Sequence, residues 1–412
     1  MSAIAYGIDF GTTNSSISIA HADGTVELAP LGSRGETSIP SILYLDPTGN
    51  RSVGDLAVRT HLVNGVGHGR LMSSVKAWLT DESFTTTEGP DGRSLSMSDL
   101  VAGILMFLKQ QADRESGVRC ERAVIGRPVV FAGAEGARFE ARTALAKERL
   151  VQAGRDAGFR EVALLDEATA ALHGDPIDTG LLLALDFGGG TFDVPIVEAT
   201  PMKRTVLATH GVAVGGEYFD SLLFDDAVAA QLQLTREHLR DGKRLPVPAS
   251  IRRMRSLSGT LAMMSDDSAL VALERWRGSL PEVSSILLGG HGYAFYRSVE
   301  GAKIDLSRAD QAEVMFSRPD IKVSAAAHRG RFEELLGPSL ALVSEAIDRA
   351  LDVASVAAAD VSHVLRTGGS SRIPAFVRMV EQRFGSHTVH ERDVFATVAL
   401  GLGAHARNLW GS

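Results

Sequence analysis

Residues 5–14, AYGIDFGTTN, and residues 181–194, LLLALDFGGGTFDV, decide the reading of this chain. Each begins as an apolar run carrying one aspartate, Asp9 or Asp186, and breaks into a glycine turn. Each then resumes as a second apolar stretch, Ile17 to Ala20 in the first case and Phe192 to Val194 in the second. Short apolar runs bounded by glycine read as buried strands. One such unit arises easily by chance. Two of them, nearly half the chain apart, predict duplicated domains that share a cleft.

The rest of the composition fits that expectation. At 412 residues the chain exceeds the usual size of one compact domain. Apolar residues at 44% and charged residues at 22% exclude a disordered chain. A formal charge of -8 argues against a general nucleic-acid binder. Cys120 is the one cysteine, which excludes an intrachain disulfide and a cysteine-rich zinc site. It reads as a small buried residue at a strand start. The N-terminus, MSAIAYGIDFGTTNSS, lacks the basic segment and apolar stretch of a secretory signal. The run from Leu100 to Leu108 is too short to span a bilayer. It follows Ser98 and Asp99, both good capping residues, and predicts a core helix. No nucleic-acid or membrane partner is expected, and the cytoplasm is the expected address.

Between and beyond the two turns the pattern alternates. Residues 25–97 read as mixed and loop-rich, Arg119 to Val130 as a strand ending near Pro128, and Ala134 to Gly158 as a long helix stopped by glycine. A strand is expected over Glu161 to Leu165 and a short helix over Glu167 to His173. Residues 217–240 favour helix, and 241–250, DGKRLPVPAS, read as a proline-punctuated loop. Residues 251–330 mix both patterns. Helices are expected over Phe332 to Val353, from Ile373 to Arg383 with Pro374 in the first turn, and over Val394 to Trp410. A strand over Val361 to Leu365 precedes the turn Gly368-Gly369-Ser370.

Glycine turns followed by hydroxyl residues suit phosphate, because backbone N–H groups can approach an oxyanion where no Cβ intervenes. Thr12, Thr13 and Thr191 add hydroxyl donors. Asp9, Asp186 and Asp193 can orient Mg²⁺ through its waters, since this ion keeps much of its hydration shell. Lys76 can neutralise charge or order an attacking water, and Glu167 can accept its proton or position it. No GxxxxGK[ST] segment is present, so the common P-loop is not the device. Taken singly, each of these is an ordinary loop, surface lysine or helix-start acid.

Taken in order, the segments resemble the nucleotide-binding domain of the Hsp70 chaperones, within the actin, hexokinase and Hsp70 superfamily. GIDFGTTNS at 7–15 and ALDFGGGTFDV at 184–194 resemble the two phosphate loops, and LLDEATAAL at 164–172 the first connecting helix. VGGEYFD at 214–220 resembles the turn entering the outer part of the second lobe. VEGAKIDLS at 299–307 resembles the adenine-side helix, followed by GRFEEL at 330–335, and LRTGGSSRIP at 365–374 the adenosine loop. The resemblance implies an α/β fold of two RNase H-like, actin-like lobes around a central nucleotide cleft, each with an outer subdomain. It implies lobe I over 1–180, with an outer part near 30–115, and lobe II over 181–395, with an outer part near 221–328. Residues 396–412 would form a helix packing back toward lobe I.

The family roles transfer by position. Lys76, within SSVKAWL, falls on the catalytic lysine, and Glu167, Thr191 and Asp193 join it in the implied catalytic set. Asp9, Asp186 and Asp193 fall on the acids around hydrated Mg²⁺. Gly11, Thr12, Thr13, Asn14, Gly188, Gly189, Gly190, Thr191, Gly215 and Gly216 fall on phosphate-side contacts. Glu300, Lys303 and Ser307 fall on nucleoside contacts, and Gly368, Gly369, Ser370 and Arg372 on the ribose and adenine side. The implied ligands are ATP or ADP with Mg²⁺, leaving room for K⁺. The implied activity is slow Mg²⁺-dependent ATP hydrolysis coupled to lobe closure, with a protein client or partner. A nucleotide-gated module without turnover and a small-molecule kinase are the alternatives on the same fold.

Two departures stand out. Ala168 replaces the proline that follows the connecting glutamate in the family, and Phe395, in FATVALGLGA at 395–404, stands where an acid near the nucleoside is expected. The reading further expects no interdomain linker, peptide-binding domain or helical lid after Ser412. On that expectation the resemblance is stronger to the short Hsp70-like chaperones of bacteria.

Overall fold

The strand Ala3–Phe10 is buried along nearly its whole length, as its continuous apolar run requires of a central strand. In the computed structural model, which describes residues 3–411 except 33, 67, 135, 174–176, 178, 202, 241–242 and 392–395, it forms the middle of a mixed sheet. That sheet runs in the order Glu161–Asp166, Arg122–Arg127, Ala3–Phe10, Asn14–His21, Val26–Leu28. The central strand is antiparallel to Asn14–His21 and parallel to Arg122–Arg127.

The second sheet repeats this plan. Its order is Val389–Glu391, His363–Thr367, Gly180–Phe187, Phe192–Thr200, Lys203–Val212. Gly180–Phe187 is antiparallel to Phe192–Thr200 and parallel to His363–Thr367. Strand for strand, order and direction match the first sheet, so the duplication expected from the two DFG segments is present in the topology. The pairing register sets Asp186 directly opposite Asp193 across the tight hairpin.

Helices close the layers. Arg329–Ala354 packs on the outer strands of the second sheet. Ala396–Trp410 packs on Ala3–Phe10 and on the short helix Glu167–His173. These crossings are close: a Cβ on Gly401 would stand 1.8 Å from the Ala170 carbonyl oxygen. Ala168 is fully buried in a small cluster with Leu182, Ala184 and Leu365 of the second sheet, so its helix also touches lobe II.

Several local expectations are corrected. The helix Met97–Ser116 is capped by Ser96, whose hydroxyl accepts from the Asp99 N–H while the Asp99 carboxylate accepts from the Ser96 N–H. Ser98 instead donates to the Arg149 carbonyl. The helix expected from Ala134 begins at Phe139, after a short 3₁₀ turn over Gly136–Arg138. The expected helix over 217–240 ends early. Gly216–Leu223 passes into a π turn over Phe224–Val228, and Glu237–Arg240 then pairs as a strand with Lys243–Pro246. The stretch 241–250 is therefore not simply a loop. Residues 251–330 hold four helices from Leu257 to Leu306 and the hairpin Gln311–Arg318 with Ile321–His328. Phe395 and Val394 lie outside the described residues. Cys120 is free and buried just before strand Arg122–Arg127, and burial raises its thiol pKa. Among the described residues no helix is long and apolar enough to cross a membrane.

Candidate nucleotide cleft

The ends of the two central strands face one another. Gly189 abuts Thr13 and Gly190 abuts Thr12, so the two glycine turns meet across a shared space. That space is a cavity of about 480 Å³. Gly11, Thr12, Thr13 and Asn14 line it from the first turn, and Gly188, Gly189, Gly190 and Thr191 from the second. The second turn is braced from behind. Gly188 N–H donates to the Thr191 carbonyl at 3.0 Å, Gly216 N–H to the Gly188 carbonyl at 3.0 Å, and Glu217 N–H to the Gly189 carbonyl at 2.8 Å.

Charged groups collect beneath the turns. Asp9, Asp186, Lys76 and Glu167 line the cavity, and the Lys76 ammonium donates to Glu167 Oε1 in a buried ion pair. Burial pushes the Asp9 carboxyl well above its ordinary value, with Glu167 and Asp186 adding and Lys76 opposing. Asp186 rises to about 6, through burial and the Glu167 charge, although the Thr367 hydroxyl donates to it at 2.9 Å. Asp193 stands behind the lining, where it accepts from the Val129 N–H at 3.0 Å and the Thr191 hydroxyl at 3.3 Å. Burial, then the opposed Asp186 and Glu167, push it well up. Anionic groups thus crowd around one buried ammonium, a strongly cation-seeking arrangement.

The other end of the cavity is walled by helix Gly292–Leu306 and the loop after strand His363–Thr367. Glu300, Lys303, Ser307, Gly368, Gly369, Ser370 and Arg372 all line it. Lys303 pairs with Asp220 at 2.9 Å and donates to the Gly216 carbonyl at 3.2 Å. Glu300 pairs with Arg297, and Arg372 with Glu391 at 2.7 Å. Gly368 sits at φ 80, where a Cβ would stand 2.2 Å from the Phe187 carbonyl oxygen, so the turn demands glycine. Ser370 donates back to the Gly188 carbonyl at 3.1 Å, tying this loop to the second glycine turn.

All but two of the residues expected at the site therefore line one cavity. The exceptions are Asp193, just described, and Gly215, which touches no cavity surface. Gly215 is a spacer whose missing side chain lets the Gly189–Gly190 backbone approach. Several lining residues escaped sequence reasoning: Glu217, Asp220, Leu257, Tyr296, Ile304, Arg308, Ile373, Glu391 and Val398. Glu217 and Asp220 were within reach, since both lie in VGGEYFD. Burial raises Glu217 to about 7, with Asp220 and Glu300 adding to the rise and Ser74 and Lys303 opposing it. Asp220 rises to about 6 by burial, against the Lys303 charge.

Two sheets of one topology, with their glycine turns meeting over a charged cavity, define a two-lobed α/β protein of the actin-like ATPase fold. A family model described as Hsp70 protein matches residues 5–245 and 294–411, and the chain belongs to the Hsp70 family. It is 27% identical over 440 residues to the chaperone protein DnaK of Deinococcus deserti, covering 99% of this chain and 60% of that protein. It is 28% identical over 392 residues to DnaK of Mycoplasmoides gallisepticum, covering 91% and 55% respectively. For DnaK of Thermotoga neapolitana the identity is 27% over 421 residues, covering 98% and 59%. The chain thus spans at most 60% of the length of these relatives. Residues 246–293 fall outside the family match.

Proposed function

We propose that this chain binds ATP or ADP with Mg²⁺ between its lobes, hydrolyses ATP slowly, and signals the bound state through the angle of the lobes. One observation carries the reading: both glycine turns, the buried Lys76–Glu167 pair and the carboxylates Asp9 and Asp186 share a single cavity. In this assignment the N–H groups and hydroxyls of the turns bind the phosphates, and the Glu300–Ser307 and Gly368–Arg372 segments hold the nucleoside. Lys76 places a fixed positive charge beside the terminal phosphate, and Glu167 orients that ammonium.

The donor set fits Mg²⁺. Asp9 and Asp186 offer hard oxygens into the cavity, Asp193 supports from behind, and burial, with the neighbouring carboxylates adding to it, raises all three pKa values. An ion that keeps its waters would be held by these carboxylates through them. Mg²⁺ would supply charge neutralisation at the phosphates.

The printed name of the relatives, chaperone protein, supports a chaperone-like output acting on a protein partner. A nucleotide-gated module with negligible turnover is the second reading. The feature favouring it is Ala168, which stands in place of the proline expected after Glu167 and is buried against the second sheet. Calorimetric titration tests the assignment. MgATP is expected to bind, and both removing Mg²⁺ with a chelator and replacing ATP by AMP are expected to weaken binding sharply. MgATP binding no tighter than AMP would sink it.

A further inference from the structure

Away from the phosphate turns, the lobes meet at a second place. Ser74 immediately precedes the 3₁₀ turn Val75–Trp78 that carries Lys76, directly after strand Arg70–Ser73. It is buried and holds φ 54, a left-handed conformation that a non-glycine residue adopts only where its surroundings over-determine it. Its hydroxyl donates a 2.5 Å hydrogen bond to Glu217 Oε1, at the start of the lobe II helix Gly216–Leu223. Glu217 lines the cavity. The next residue but one after Ser74 is Lys76, which Glu167 holds at the other end.

The apolar half of this junction comes from the segment that the family match leaves out. Helix Leu257–Met264 packs against strand Arg70–Ser73, and Leu257 itself reaches the cavity wall. Ile42, Tyr44, Ala57, Val58 and Leu71 of lobe I belong to the same hydrophobic cluster as the core of lobe II. The outer parts of both lobes are therefore joined by packing, with the Ser74–Glu217 hydrogen bond between them beside the cavity.

We propose that Ser74 and Glu217 form a clasp between the lobes beside the cleft, holding them together around a bound nucleotide and fixing the turn that presents Lys76. Both act as positioning residues for the reaction proposed above, and the inference rests on that reading. When the clasp opens, the Val75–Trp78 turn loses its anchor on lobe II, so nucleotide retention and Lys76 placement change together.

The test uses the full chain, a fluorescent ATP analogue for dissociation rates, and single-turnover hydrolysis. Ser74→Ala and Glu217→Ala should each speed release and slow hydrolysis about tenfold, the scale of one hydrogen bond to a charged group. The double variant should be no worse than the worse single, because both remove the same bond. Ser74→Gly relaxes the left-handed backbone yet lacks the donor, so it should behave like Ser74→Ala. Ser74→Asn tolerates that φ and carries N–H donors, so it should recover most of the loss. Should Ser74→Ala fail to fold, the cycle between Ser74→Gly and Glu217→Ala decides instead. Additive single effects, or Ser74→Gly at wild-type rates, would overturn the clasp while leaving nucleotide binding intact. A wild-type chain that binds no nucleotide would refute the site reading and the clasp together.

Discussion

Gly215→Ala probes how the phosphate turn is held. Gly215 has extended backbone, φ -163 and ψ -175, which alanine adopts without strain, so any effect is steric. The new Cβ would stand 2.5 Å from the carbonyl carbon and oxygen of Gly189 and 2.6 Å from the Gly190 nitrogen. Ordinary contact begins at 3.4 Å, so the turn and the helix start must separate by about 1 Å. The backbone bonds to the Gly188 and Gly189 carbonyls link the two, leaving no side chain to absorb the shift. A displacement of this size at a positioned group costs up to about 100-fold. Overpacking should cost about 1–3 kcal/mol of stability. ATP affinity by titration, with a thermal melt of the same sample, measures both. Gly301→Ala is the control: it lies in helix Gly292–Leu306 with nothing within 4 Å of the added Cβ. It should leave affinity unchanged and stabilise by about 0.5–1 kcal/mol. A folded Gly215→Ala protein with wild-type affinity would refute the argument that this spacer sets the turn.

Removing the buried ammonium by Lys76→Ala should destabilise the nucleotide-free protein by about 3–5 kcal/mol at pH 8, since Glu167 is left unpaired. The loss should shrink at pH 6, where the crowded carboxyls can hold protons; equal losses in denaturant melts at both pH values would contradict this. Measured against Glu217→Gln, the wild-type protein free of nucleotide and Mg²⁺ should lose stability as pH rises from 6.5 to 8. The native pKa of Glu217 is about 7, so the native state there holds a proton that the unfolded chain has released. Each retained proton contributes a slope of at most about 1.4 kcal/mol per pH unit. The buried histidines, whose pKa values are lowered, push the other way while the unfolded chain still protonates them, and they do so equally in both proteins. Glu217→Gln should remove this falling contribution from the slope, read from melts across the same buffers; an unchanged slope would acquit Glu217.

The phosphate turns were legible because their chemistry is local. A buried strand needs a continuous apolar run, and a turn that admits phosphate needs glycine, so Asp9–Thr13 and Asp186–Thr191 carry their own signals. Less local features were harder. Glu237–Arg240 is rich in helix-favouring residues, and only pairing with Lys243–Pro246 makes it a strand. Ser96 takes the cap through the capping box that Asp99 completes, whereas Ser98 next to Asp99 looked equally suited. Gly215 belongs to the turn motif but acts through a backbone approach set by the packing of another strand's turn. Leu257 had no signal at all: an apolar residue in a helix reads as core, and its place at the cavity depends on how the 246–293 segment folds over lobe I. Ser74 likewise looked like a spacer before Lys76, and its left-handed φ and cross-lobe partner appear only in three dimensions.

Single-turnover hydrolysis of MgATP by the purified chain, beside Lys76→Ala, tests the central claim most directly. The account predicts slow release of phosphate from wild-type protein, and a fall of at least about 100-fold in Lys76→Ala, the scale of a lost charge-stabilising donor. Nucleotide binding should persist in that variant. Hydrolysis at equal rates in both proteins would contradict the assignment of Lys76 and the chemistry built around it.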